Sequence, residues 1–204
     1  IKLTFKYPFV ALDFGTYGIA VKRDDNKFRM YSLNFVKEGV KEFTLDELVN
    51  KKEDNWANYP KGVIKTFIDA GYKIDSGFDI LINGTIPNGA GLSSSASLEL
   101  LTAVVLKDFF KLDVDMVEMV KLSQKAENQF IGVNCGIMDQ FAIGMGKKDN
   151  AILLDCNSLN YQYAPISLNG ASVVIANTNK KRGLADSKYN ERRASCSARA
   201  WFPP

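Results

Sequence analysis

The chain has 204 residues, 46% of them hydrophobic and 24% charged, with a formal net charge of +3. That length suits one domain with part of a second, and so small a charge gives no footprint for nucleic acid or an anionic membrane. There is no histidine, so Ser-His-Asp and Cys-His hydrolase chemistry is excluded within this chain.

Cys135, Cys156 and Cys196 are widely spaced and form no C-x-x-C. This argues against a zinc site or a disulfide framework and for a reducing compartment. No signal peptide is visible and no apolar run approaches the length of a spanning helix, so a cytoplasmic location without membrane contact is the expectation. Oligomeric state leaves no mark, and a monomer is the default.

Ile1 to Val10 is apolar and aromatic. Ala11 to Lys22 and Phe28 to Phe35 read as strands joined by the turn Arg23-Asp24-Asp25-Asn26-Lys27, which predicts a hairpin. Asp54 or Asn55 can cap a helix with Pro60 near its first turn. Trp56, Tyr59, Val63, Phe67 and Ile68 make its apolar face, and Gly71 ends it. Phe78 to Ile82 alternates as a strand does, and Leu98, Leu101, Val105 and Phe109 recur at helical spacing.

Asp113 or Asp115 starts a further helix, with Met116, Val120, Ser123, Glu127 and Phe130 on one stripe and Gly132 at its end. Val133 to Gly136 turns the chain, and Ile137 to Met145 is a short helix with Asp139 in its first turn. After the turn Lys147-Lys148-Asp149-Asn150, Ala151 to Cys156 and Ala171 to Asn177 read as apolar strands; Leu184 to Arg199 has helix character. Strands followed by strand–loop–helix and more helices predict an α+β fold, with one antiparallel or mixed sheet covered by helices on one side.

The run Pro87-Asn88-Gly89-Ala90-Gly91-Leu92-Ser93-Ser94-Ser95-Ala96-Ser97 stands between a strand and a helix. Gly89 and Gly91 permit backbone dihedrals closed to other residues and a close approach to a ligand. Free N–H groups and the positive helix end favour an anion, and three serines add hydroxyls for phosphate oxygens or magnesium. No Walker loop is present, and Ser94 stands where a dinucleotide fingerprint needs its third glycine. The structural alternative is a glycine-rich turn with a serine cap. Glu127 falls on a buried helix face, where an unpaired carboxylate needs a cation or donors. A buried salt bridge and a magnesium ion shared with a phosphate both answer that need. Asp139 taken alone can be dipole-complementing structure, Ser32 a strand serine and Tyr189 a surface tyrosine.

Two stretches carry a resemblance. Pro87 to Ser97 is similar to the GHMP-kinase motif P-x-x-x-G-L-S-S-S-A, and Glu127-Asn128-Gln129-Phe130-Ile131-Gly132-Val133-Asn134-Cys135-Gly136-Ile137-Met138-Asp139-Gln140 resembles the galactokinase branch of that superfamily. The similarity runs from about Ala11 to about Arg193. It implies the GHMP N-terminal ATP-binding lobe over residues 1–170 and the start of a second lobe over 171–204. It implies transfer of the γ-phosphoryl of ATP to the C1 hydroxyl of α-D-galactose. Gly89, Ala90, Gly91, Leu92, Ser93, Ser94 and Ser95 would bind ATP, with Ser32 near the nucleotide. Ser95 and Glu127 would hold Mg²⁺. Asp139 would serve the attacking hydroxyl, and Gly136 and Tyr189 would contact the sugar. The resemblance also makes Trp56 and Tyr59 candidates for adenine packing.

A family motif similar to G-R-V-N-L-I-G-E-H-T-D-Y, with its arginine and sugar contacts, is not found, and the tail Ala198 to Pro204 does not resemble the family. The expectation from sequence is therefore a fragmentary member with weak or absent turnover on its own. A non-catalytic ATP and galactose sensor and a kinase of a related sugar such as N-acetylgalactosamine are the alternatives.

Overall fold

The computed structural model describes residues 14–87 and 91–176, the backbone of 6–9, and residues 190, 191 and 195. Among these the chain forms strands β1 (Lys6–Phe9), β2 (Thr16–Lys22), β3 (Lys27–Ser32), β4 (Lys41–Thr44), β5 (Phe78–Gly84), β6 (Asn150–Asp155) and β7 (Tyr161–Pro165). The helices are α1 (Asn58–Asp69), α2 (Ser94–Phe110), α3 (Met116–Lys125) and α4 (Met138–Met145). The α+β expectation holds.

The single expected sheet is two. Four strands run in the order β2-β5-β3-β4, and β1, β6 and β7 make a separate antiparallel sheet. Nor do β2 and β3 form a hairpin: β5 lies between them, antiparallel to β2 and parallel to β3. The reason lies in burial. Phe78, Ile80 and Ile82 are the inward residues of β5, each 5% exposed or less, so β5 takes the centre of the sheet and displaces the local pairing. Arg29 and Arg23 both reach Asp79 on β5, which marks the parallel register and holds that carboxyl below its usual range, first through the Arg29 hydrogen bond.

The turn expected to close a hairpin closes on Gly77 instead. Arg23 N–H donates to Gly77 O at 3.0 Å, and Gly77 N–H donates to Asp25 O at 2.7 Å. A Cβ at residue 77 would stand 1.8 Å from the Lys27 carbonyl oxygen, so the threading requires glycine.

Helices cover one face of the larger sheet. Phe28, Met30, Ile80 and Ile82 pack against Val63, Phe67, Ala103 and Leu106 of α1 and α2, while Tyr17, Ile19, Val21 and Leu81 project from the opposite face. The second core joins Leu100, Val120, Phe141, Ile152 and Leu154, so α2 is shared by both. That sharing explains why the expected stripe Leu98, Leu101, Val105 and Phe109 is only partly buried, whereas Leu100, Ala103 and Leu106 are almost fully so.

Neither Asp54 nor Asn55 caps α1. A 3-10 turn over Lys52–Ala57 precedes it, and Asp54 pairs with the buried ammonium of Lys61, which rests 4.7 Å above the Phe43 ring. Asp115 does cap α3, its carboxylate accepting from Glu118 N–H at 2.7 Å. β4 and β7 carry no clear signal in the sequence. Residues 171–176 form no strand, and Val173 and Val174 are exposed; an apolar run becomes a strand only where a neighbour supplies its ladder. No helix among the described residues is long and apolar enough to cross a membrane.

Candidate functional site

Three consecutive serines at the start of α2 face three directions, because each step along the chain turns a side chain by about 100°. Ser93, left-handed at φ 63°, borders a cavity of about 580 Å³ that also takes in Gly91, Leu92, Ser97 and Asp139. Ser94 lines a narrow cleft of about 40 Å³ with Ser32, Asn34, Phe35 and Trp56. Ser95 turns to the helix interface and donates to Glu127 Oε1 at 3.3 Å. Among the described residues no side chain caps α2, and its leading N–H groups point at the loop.

Glu127 arrives at Ser95 through a widened turn. After α3 the helix continues as a π turn over Ala126–Ile131 and stops at Gly132, whose φ is 85°. Such a turn carries one residue more than an α-helix in the same span and re-aims the side chains on it. Glu127 is 4% exposed, and its carboxyl receives Gln140 Nε2 on Oε2 at 2.6 Å, with Cys135 Sγ at 3.5 Å. Among the described residues no lysine or arginine pairs with it. Burial pushes its pKa up. The same surroundings push the Tyr59 phenol up to about 12, through burial first and then the charges of Glu127 and Glu99.

Asp139 sits in the first turn of α4, exposed, on the wall of the larger cavity. Its neighbour Gln140 is fully buried and ties α4 to Glu127. Gly136 lies exposed on the turn leading to α4. Asn190 braces that turn, accepting from Asn134 N–H at 2.8 Å and donating to Gly132 O at 3.2 Å.

The structure thus brings Ser95 to Glu127, and Gly91, Leu92 and Ser93 to Asp139. Ser32 lies across the narrow cleft from Ser94, its hydroxyl accepting from Asn34 N–H at 3.2 Å. Trp56 lines that cleft, stacked on Phe35 at 6.3 Å, with its buried Nε1 unpartnered. Tyr59, in the first turn of α1, instead stands beside the Glu127 cluster. Gly89, Ala90 and Tyr189 lie outside the described residues.

Sequence reasoning missed Glu99, Gln140 and Asn190. Glu99 had a readable signal: it follows Ser95 by one helical turn and so shares its face.

Among the described residues no group of three or more acidic or thiol side chains could hold a metal ion unaided. A hard cation that keeps phosphate and water ligands needs only one carboxylate and one hydroxyl, and a buried carboxyl with no cationic partner among the described residues fits it.

The family model for the N-terminal domain of GHMP kinases matches residues 58–147. A galactokinase of Fusobacterium nucleatum is 71% identical over 94% of this chain and 49% of its own length. A galactokinase of Clostridium acetobutylicum is 64% identical over 92% of this chain and 48% of its own length. The crystal structure of Lactococcus lactis galactokinase complexed with galactose superposes with a TM-score of 0.83 at 48% identity, over 96% of this chain and 52% of that one. The chain spans about half the length of the curated relatives it matches.

Proposed function

Because the chain belongs to the galactokinase family of the GHMP kinase superfamily, we propose that its site serves transfer of the γ-phosphoryl of ATP to the C1 hydroxyl of α-D-galactose. The observation that carries this reading is the meeting of Ser95 and Glu127 at the uncapped start of α2, between the two recesses. Residues 1–170 are proposed as the nucleotide-binding lobe, with a second lobe beginning at 171.

Phosphoryl transfer asks a protein for positioning and for charge neutralisation rather than covalent chemistry. Gly89 to Ser95 would present backbone N–H groups and hydroxyls to the phosphates, with the α2 dipole behind them. Ser95 and Glu127 would hold Mg²⁺, which neutralises charge on the phosphates when bound. Ser32 and Trp56 would border the nucleotide on one side. Asp139, on the other, would orient the attacking hydroxyl or take its proton, with Gly136 and Tyr189 against the sugar. Location and assembly follow as proposals: a cytoplasmic monomer acting on small molecules.

Thermal unfolding with and without Mg·ATP tests the reading, because a ligand that prefers the native state raises the midpoint. A rise is expected that Ser95→Ala and Glu127→Gln each largely remove; no rise in the parent chain overturns it. Calorimetric titration of galactose into the chain saturated with magnesium and a non-hydrolysable ATP analogue tests the sugar side. Asp139→Asn is expected to weaken galactose about tenfold, the scale of one charge-assisted hydrogen bond, and unchanged affinity removes Asp139 from the sugar.

A further inference from the structure

One buried network contains two side chains, Glu99 and Gln140, that have no part in the chemistry above. Gln140 Nε2 donates to two carboxyl groups at once, Glu127 Oε2 at 2.6 Å and Glu99 Oε2 at 3.0 Å. Glu99 and Gln140 are both 0% exposed. Glu99 lies on α2 four residues beyond Ser95, on the same face, and Gln140 lies on α4 next to Asp139. Glu127 is therefore held from both sides by one turn of α2: directly through the Ser95 hydroxyl, and indirectly through Gln140 anchored on Glu99.

The arrangement is costly as pure structure. Glu99 Oε1 and Gln140 Oε1 are buried without a hydrogen-bond partner, and two carboxyl groups share one amide in a dry interior. An apolar trio would pack there without such losses. What the polar trio supplies is orientation. With both amide hydrogens engaged, the Gln140 side chain cannot rotate, and Glu127 cannot swing away from Ser95. Burial, then the charge of Glu127, push Glu99 well above the usual carboxyl range, which suits an acceptor in its neutral form.

We propose that Glu99 and Gln140 are positioning residues that fix the Glu127 carboxylate for the metal–nucleotide complex, Glu99 acting as an acceptor for the Gln140 amide. This rests on the phosphoryl-transfer reading above.

The test uses Mn²⁺ as a spectroscopic stand-in for Mg²⁺, titrated by electron paramagnetic resonance into the full chain with a non-hydrolysable ATP analogue. Affinity for the metal-free analogue is measured in parallel. Gln140→Met and Glu99→Ala are each expected to weaken Mn²⁺–nucleotide binding by about tenfold or more, the usual cost of losing the support of a ligand. Metal-free nucleotide should stay within about twofold, and Glu99→Gln should restore metal binding to within about threefold. A general loss of structure would weaken both ligands together and would not be rescued by Glu99→Gln. If Gln140→Met shows no cooperative unfolding, the Glu99→Ala and Glu99→Gln pair decides. Equal metal affinity in those two variants overturns the proposal, as does parent-like metal affinity in folded Gln140→Met. Ser95→Ala separates the two readings. If it weakens Mn²⁺–nucleotide binding while the Glu99 and Gln140 variants do not, only this inference falls. If the parent chain binds no Mn²⁺–nucleotide, the phosphoryl-transfer reading falls and takes the inference with it.

Discussion

At Glu99 a single side chain sets a trend for the whole chain. Its folded pKa, like that of Glu127, lies above the ordinary glutamate value of 4.5, through burial first and then, for Glu99, the charge of Glu127. Between the unfolded and folded values the native state holds more protons than the unfolded chain, so stability falls as pH rises through that window. Asp25 and Asp79 act in the opposite sense: arginine partners lower them, and their contribution is complete above about pH 4. Denaturant unfolding at pH 5.5 and pH 8 should therefore show lower stability at the higher pH, and a smaller loss in Glu99→Gln. An equal loss in that variant would mean that Glu99 is not the source. Ser95 and Glu127 were legible in the sequence because a serine run behind glycines and a carboxylate on an apolar stripe each break a local pattern. Glu99 shares the face of Ser95, but a glutamate within a helix reads as a solvated residue until the second element packed on it is known.

Among the elements, the least forgiving joint is the passage of Gly77 through the turn between β2 and β3. Gly77→Ala sets a methyl 1.8 Å from a carbonyl oxygen of the backbone, where no rotamer can yield. A loss of about 3 kcal/mol, the upper end for overpacking, is expected by urea unfolding, and a change under about 0.5 kcal/mol would contradict the threading. The π turn at Ala126–Ile131 works the other way, exchanging regular helix geometry for the aim of one side chain. The sequence indicated where this helix starts and where Gly132 stops it. Its period could not show the widening, because one extra residue at the end of a stripe leaves the preceding spacing intact.

For the molecule as a whole, the elements were legible and their pairing was not. Propensity and turn chemistry report on neighbours in sequence. The order β2-β5-β3-β4 depends on which strand is apolar enough to occupy the middle, and the separate sheet of β1, β6 and β7 depends on segments far apart in sequence meeting. The outer sheet face carries Ile19 at 73% exposure, so Ile19→Lys should shift stability by less than about 0.5 kcal/mol in a denaturant melt; a larger loss would mean that this face is covered. The central place of β5 also sets a timetable for synthesis. The residues that Asp79 pairs with on β3 precede it by 50 positions. While the nascent chain is short, β3 can already pair with β4, but β2 has no partner of the final sheet until β5 emerges. The four-stranded sheet therefore closes only after its central strand, the last of the four in sequence, has been made, and β2 waits for it with an unpaired edge.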